Sequence, residues 1–243
     1  MTPSGDWPEG YGREIFAALD STNEEARRRA VTGEAGQLWI MARHQTAGRG
    51  RRGRAWDTGS GNLAATLLIR PARPLAEWAQ LSFAAAIAAA DTVAHFAPTA
   101  TIAVKWPNDV LLEGRKVAGI LLETAGPALA IGIGVNLATH PEDTAFPAIS
   151  LAAMGLRPPV PEAALTILAA GFAAWYERWR MQGFAPLRDA WLARAAGLGT
   201  RIRARLPDSE HAGVFEGIDA GGALLLNEAG RTRAIAAGEV FFG

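Results

Sequence analysis

Residues 105–123 read KWPNDVLLEGRKVAGILLE. Lys105 closes the otherwise apolar run TIAVK, and Pro107 with Asn108-Asp109 then punctuates a turn. Beyond it, VAGILLET (117–124) and ALAIGIGVNL (128–137) read as two further strands. Working outward, the alanine- and leucine-rich stretch 76–97 predicts a long helix. NLAATLLIR (62–70) and QLWIMAR (37–43) predict strands on either side of a glycine-arginine loop. STNEEARRRA opens the first helix, where Ser21 with Glu24 and Thr22 with Glu25 both fit a capping box. Another long helix fits 161–182, with Pro161 at its start and Gly183 after its end. From Gly197 the pattern changes to the short strand-like pieces TRIRARL, HAGVFEGID, ALLLNE, RTRAIAA and EVFF, with Gly221-Gly222 as a hairpin signal. The chain reads as an α/β or α+β domain over 1–195, followed by a small β domain over 196–243.

Composition narrows the function classes. The 243 residues carry 24 Lys+Arg against 24 Asp+Glu, so no global field draws the chain to nucleic acid or membrane. There is no cysteine, which excludes disulfides, thiolate nucleophiles and cysteine-bound metals. The start lacks a basic segment followed by an apolar one, and the stretch FAAAIAAA (83–90) is cut by Asp91 and too short to span a bilayer. A cytoplasmic location is the expectation.

Against that neutral background, QTAGRGRRGRAW (45–56) concentrates four arginines and three glycines within residues 48–54. GRGRRG matches G-x-G-x-x-G in form only. A turn-rich segment leading to a strand follows it, whereas a dinucleotide fold needs a helix there. What remains is a flexible basic loop, either a solvated surface feature or a binder of phosphate, carboxylate or RNA. Trp56 beside it offers a face on which a base could stack.

Several single residues have two readings. Lys105 either leaves the core at a strand end or points into a cleft at the sheet edge. Asn108-Asp109 suit a turn, and Lys116 shares the ambiguity of Lys105. Gly119 inside a strand marks close approach by a ligand or another backbone. Asn136 is either a turn residue or an amide placed to read a base edge. His44, His95, His140 and His211 are scattered without metal-ligand spacing, and neither a G-x-S-x-G nor an S-x-x-K nucleophile motif occurs. The polar inventory therefore suits electrostatic work on anions.

Taken in order, STNEEA, QTAGRGRRGRAW, GNLAATLLIRP, VKWPNDVLLEGRKVAGILLE and IGIGVNL resemble the biotin protein ligases over nearly the whole chain. The arginine loop and the KWPND segment together are the specific part. The resemblance implies an α+β catalytic domain, a mixed sheet flanked by helices and related to class II aminoacyl-tRNA synthetases, with a small C-terminal SH3-like β-barrel. It also implies a reaction: biotin and ATP give biotinyl-5′-AMP and pyrophosphate, and biotin then passes to a lysine of the biotin carrier domain of a carboxylase. By the same resemblance, Ser21, Thr22, Asn23, Gln45 and Gly119 would bind biotin. Arg49, Arg51 and Lys105 would hold its carboxylate and the phosphate, with Lys105 and Arg51 catalytic, and glycine at Gly50 would let the loop backbone fold over the bound biotin. Arg54, Trp56 and Asn136 would bind the nucleotide. Mg2+ is expected on the ATP phosphates, with no protein metal ligand named. The arginine loop would order as a lid when anionic ligand arrives. About 20 residues precede STN, too few for the DNA-binding domain of some members, so no operator binding is expected. Exposed sheet edges leave a homodimer open. Two rivals remain: a ligase for lipoate or another carboxylic acid, and a non-enzymatic RNA-binding module.

Overall fold

In the computed structural model, which describes residues 6–34, 36–56, 58–142 and 144–242, seven strands form a mixed sheet in the order β1-β2-β3-β7-β6-β5-β4. These are β1 (Tyr11–Phe16), β2 (Gln37–Ala42), β3 (Leu63–Ile69), β4 (Ile102–Lys105), β5 (Asp109–Leu112), β6 (Arg115–Ala125) and β7 (Ala128–Val135). Only β1 and β2 run parallel; every other neighbouring pair is antiparallel.

Strand alternation divides the core into two layers. Trp39 and Met41 of β2, with Leu63, Ala65, Leu67 and Ile69 of β3, face α2 (Leu81–Phe96) and α3 (Pro161–Gln182). Leu38, Ile40 and Leu68 face the other way, toward Ala26 and Ala30 of α1 (Thr22–Val31). α2 is buried on nearly all sides, and Ala84, Ala85, Ala86, Ala88 and Ala89 are each 0% exposed. That explains its alanine content: a helix apolar all round is an interior helix, and small side chains let it lie close to sheet and neighbouring helix. α1 covers only part of the opposite face, and the uncovered remainder becomes the floor of a cavity.

The structure adds elements that sequence patterning missed. β1 and α4 (Ala185–Leu192) were not anticipated, nor was β5. The turn after Lys105 is only Trp106 to Asn108; Asp109–Leu112 is then a strand, returned into β6 by Glu113-Gly114. Both hairpin residues have positive φ, 48° and 73°, as a type I′ turn requires. The long helix expected at 76–97 begins as a 3₁₀ segment, Leu75–Gln80, after Pro74. Its last residue, Gln80, is held in place by accepting the Trp179 indole N–H at 2.8 Å. Ser21 occupies the N-cap position of α1 without a side-chain capping bond, so neither capping box forms. The Thr22 hydroxyl is engaged with Thr66 instead, and Glu24 and Glu25 pair with arginines.

A second, antiparallel sheet comprises β8 (Arg201–Arg205), β9 (Glu210–Ile218), β10 (Leu224–Glu228), β11 (Arg231–Ile235) and β12 (Glu239–Phe242), in the order β11-β10-β9-β8-β12. No pairing joins β11 to β12 among the described residues, so the expected barrel is an open five-stranded sheet here. Just before β12 the chain meets the arginine loop: Arg51 donates to the Gly238 carbonyl at 3.1 Å. The sheet docks through Phe215 on Trp191 of α4, and through the Gly222 carbonyl, which accepts the Trp106 indole N–H at 3.0 Å.

Because α2 fits only small side chains, Ala88→Leu should destabilise the fold by about 1–3 kcal/mol through overpacking, read from the urea unfolding midpoint. An unchanged midpoint would show that the α2 interface has room to spare.

Candidate active site

The uncovered part of the sheet is floored by residues with little or no side chain. Ala64 of β3 is opposite Gly134 of β7, which is opposite Gly119 of β6. Two residues along, Thr66 is opposite Gly132, and Gly132 opposite Leu121. A Cβ added at Gly134 would lie 2.5 Å from the Trp56 indole, and one at Gly119 would lie 3.1 Å from it. One at Gly132 would collide with the Asn23 amide. The glycines of IGIGV are therefore spaces that Asn23 and Trp56 occupy, each held against bare strand backbone.

Over this floor lies a cavity of about 450 Å³. It is lined by every residue expected at the site: Ser21, Thr22, Asn23, Gln45, Arg49, Gly50, Arg51, Arg54, Trp56, Lys105, Gly119 and Asn136. At one end, Ser21, Thr22 and Asn23 begin α1 and are all buried. The Thr22 N–H donates to Gln45 Oε1 at 2.8 Å, and Gln45 Nε2 donates to Thr58 Oγ1 at 2.9 Å. Elsewhere on the wall, the Asn136 amide is fixed by donating to the Ile149 carbonyl at 3.1 Å.

The arginine loop is a tight hairpin. Trp56 N–H donates to the Gly48 carbonyl at 2.9 Å and Gly50 N–H to the Arg54 carbonyl at 2.7 Å. Close approach demands glycine at Gly48, where a Cβ would collide with the Trp56 carbonyl. At Gly50 the nearest atom to an added Cβ is 3.6 Å away, so the expected need for glycine there is not steric. Arg51 spans from the loop to two other segments, donating to Asn108 Oδ1 at 3.0 Å and to the Gly238 carbonyl at 3.1 Å. Arg54 pairs with Glu239 at 2.7 Å, and Arg49 with Glu24.

Lys105 is 5% exposed, at the end of β4. It lies 4.4 Å from the centre of the Phe146 ring and 3.5 Å from Asp109, whose other oxygen binds Lys116 at 2.7 Å. Burial pushes the Lys105 amine below the ordinary lysine range, Asp109 opposes the shift, and Lys116 adds to it. Arg51 is likewise pushed down by burial, although a guanidinium stays charged. Among the described residues the lining holds five cations, Arg49, Arg51, Arg54, Lys105 and Lys116, against two carboxylates, Asp109 and Glu239. The Arg51 bonds to Asn108 and Gly238 both go to neutral oxygens, so they leave its charge unneutralised. In a chain with +0 net charge, this is a localised excess of positive charge assembled from separate segments, suited to anions.

Sequence reasoning left Asn108, Asp109 and Lys116 undecided and missed Glu239, Thr66 and Glu123. Thr66 carried a signal, as the lone hydroxyl in the apolar strand LAATLLI. Glu239 carried none, because its place at the site depends on how the second sheet docks.

Comparisons with known proteins agree with this geometry. Residues 15–137 match the Biotin/lipoate A/B protein ligase family, and residues 197–243 match the Biotin protein ligase C terminal domain. The chain is 49% identical over 240 residues to a biotin--[acetyl-CoA-carboxylase] ligase of Paracoccus denitrificans, covering 94% of this chain and 100% of that relative. It is 36% identical to the corresponding ligase of Mycobacterium tuberculosis, covering 93% and 87%. The structure of the biotin protein ligase from Aquifex aeolicus in complex with biotin and ATP shares the fold, with a TM-score of 0.84 at 23% identity over 95% of this chain and 97% of that one.

Asp109 holds two lysines at once. Asp109→Ala should therefore cost about 2–3 kcal/mol of stability, less than the about 3–5 kcal/mol for breaking a fully buried pair because Lys116 is partly exposed. Equilibrium urea unfolding would measure it, and a change under about 0.5 kcal/mol would show the pair to be merely a surface contact.

Proposed function

The chain belongs to the biotin/lipoate A/B protein ligase family, and we propose that it is an ATP-dependent biotin–protein ligase that works through biotinyl-5′-AMP. The observation that carries this reading is that Lys105 and Arg51, 54 residues apart in the chain, line one cavity with the Ser21–Asn23 segment and with Trp56.

The biotin ureido ring has one carbonyl and two N–H groups, which need partners once buried. Ser21, Thr22, Asn23 and Gln45 supply a compact polar end of the cavity for them. An indole lying on a glycine floor offers the flat surface an adenine stacks on, and Asn136 is at the same wall. Between these ends, Arg49, Arg51 and Lys105 hold two anions together. A carboxylate oxygen attacks the α-phosphorus, the bond from phosphorus to the bridging oxygen breaks, and pyrophosphate leaves with the electron pair. Negative charge grows on the phosphoryl oxygens in that step. Cations already in place lower the barrier without reorganisation. The amine of a carrier-domain lysine then attacks the biotinyl carbonyl and loses a proton, and AMP departs. The acceptor is the biotin carrier domain of a biotin-dependent carboxylase.

Gly119, expected beside biotin, keeps the floor flat beneath Trp56 and beside Lys116, where the two substrates meet. Arg54 completes the nucleotide side while tied to Glu239. In this division, residues 1–195 carry both binding ends, and residues 196–243 bring Gly238, Glu239 and Phe241 to the rim. Among the described residues no group of three His, Asp or Glu side chains is placed to hold a metal. Mg2+ would arrive on the triphosphate, with water completing its coordination. The arginine loop, pinned through Arg51 and Arg54 to neighbouring segments, closes over the bound adenylate and keeps water from the mixed anhydride. No described helix is long and apolar enough to cross a membrane.

Purified protein should catalyse biotin-dependent ATP–pyrophosphate exchange, and Lys105→Ala and Arg51→Ala should each lose at least about tenfold. Exchange that ignores biotin, or that lipoate supports equally well, would overturn the reading. The protonated Lys105 amine is the useful form, and burial lowers its pKa from 10.5. The alkaline fall in kcat/KM should therefore begin below the ordinary lysine range. In Lys105→Arg that fall should vanish, because a guanidinium does not titrate there. A wild-type profile flat to pH 10.5 would contradict the role given to Lys105.

A further inference from the structure

A chain of four polar side chains runs beneath the biotin end of the cavity, and its direction is fixed by an acid that lies outside the lining. Asn23 Nδ2 donates to Glu123 Oε2 at 2.7 Å, and Asn23 Oδ1 accepts the Thr66 hydroxyl at 2.6 Å. Thr66 Oγ1 is also 2.8 Å from Thr22 Oγ1. Thr66 is 0% exposed, on the α1 face of β3. Glu123 is on β6, and its other oxygen lies 3.9 Å from Arg49.

The proton count has one solution. A carboxylate only accepts, so the Asn23 amide must turn its NH2 to Glu123 and its oxygen to Thr66. Thr66 owns one proton, and at 2.6 Å that proton must lie between it and Asn23 Oδ1. The Thr22–Thr66 contact must then use the Thr22 proton. Giving the Thr22 proton to Gln45 Oε1, 3.1 Å away, would instead leave two lone pairs facing each other across the 2.8 Å Thr22–Thr66 contact. The proton in each of the three contacts linking Thr22, Thr66, Asn23 and Glu123 therefore points toward Glu123. Thr22 Oγ1 and Asn23 Oδ1 keep lone pairs that can face the cavity.

We infer that Glu123 is a positioning residue that sets the polarity of the biotin end, holding Thr22 and Asn23 as acceptors for ring N–H groups. The inference rests on the biotin reading above and adds to it a residue that touches no substrate. Without Glu123 the Asn23 amide is free to flip, and its NH2 then opposes the N–H groups it should receive. The Gly132 space, filled by the Asn23 amide, makes the arrangement compact enough for one carboxylate to govern it.

Isothermal titration of biotin, paired with steady-state kinetics, tests the assignment. Glu123→Ala should raise the biotin Kd and KM about tenfold or more, the worth of a hydrogen bond to a charged group. In that variant kcat at saturating biotin and the nucleotide KM should stay within about threefold. Glu123→Gln, whose side-chain oxygen still accepts, should recover most of the affinity. Thr66→Val should weaken biotin similarly while Thr66→Ser does not, and Glu123→Ala with Thr66→Val should be less than additive because both break one chain. Equal biotin affinity in wild type and Glu123→Ala overturns the inference and leaves the ligase reading standing. Loss of biotin and nucleotide affinity together overturns it as well, since that marks general damage or an effect through Arg49. A wild type that does not bind biotin overturns the ligase reading and this inference with it.

Discussion

Holding like charges together is the constraint on which the rest of this structure depends. Lys105 and Arg51 are both taken out of water, and burial disfavours the charged form of each. Stripping such ions of hydration costs several kcal/mol apiece. They stay in place because each is fixed by a different part of the scaffold. Lys105 is the last residue of β4, bonded into the sheet against β5. Arg51 is pinned at the tip of a hairpin by one amide oxygen and one backbone carbonyl. Asp109 tempers the field by holding Lys116 most closely and leaving Lys105 at longer range. A receptor balanced in this way is poised for an anion, and two anionic reactants are what such a field can bring together.

The floor solves a second problem, that of room. A sheet face ordinarily projects side chains, yet here Ala64, Gly134 and Gly119 form a row across three strands. Their small size lets Trp56 descend onto the strands and lets Asn23 fill the space above Gly132. The same surface thus seats a flat aromatic group and a rigid hydrogen-bonding amide within one layer. The interior face of the sheet is instead packed by α2 and α3. One sheet separates the part that supplies stability from the part that binds.

The second sheet is part of the site and more than an appendage. Its contribution is small in residues, Gly238, Glu239 and Phe241, but Glu239 and the Gly238 carbonyl are the groups to which Arg54 and Arg51 attach. The arginine loop is consequently tied to both halves of the chain. The second sheet is itself held by contacts such as Trp191 with Phe215 and Trp106 with the Gly222 carbonyl.

Local chemistry made much of this legible in the sequence. β-branched and aliphatic runs marked β2, β3, β6 and β7, Pro161 and Gly183 bounded α3, and the glycine-arginine knot and KWPND announced an anion site. β1 escaped because it is a short edge strand whose partner lies more than 20 residues further on. β5 escaped because a two-residue return hid inside what looked like a single connection. The capping boxes failed because tertiary partners claimed the Thr22 hydroxyl and both glutamates. By itself, then, the sequence determined which segments are strands and helices and which residue types carry chemistry, since propensity and periodicity act over a few neighbours. Only the tertiary structure decided that Lys105, Arg51, Trp56 and Asn23 share one cavity, that Glu239 joins them, and that Glu123 accepts a hydrogen bond from an amide 100 residues away. Those relations depend on strand order and register, which long-range burial selects and no local pattern encodes.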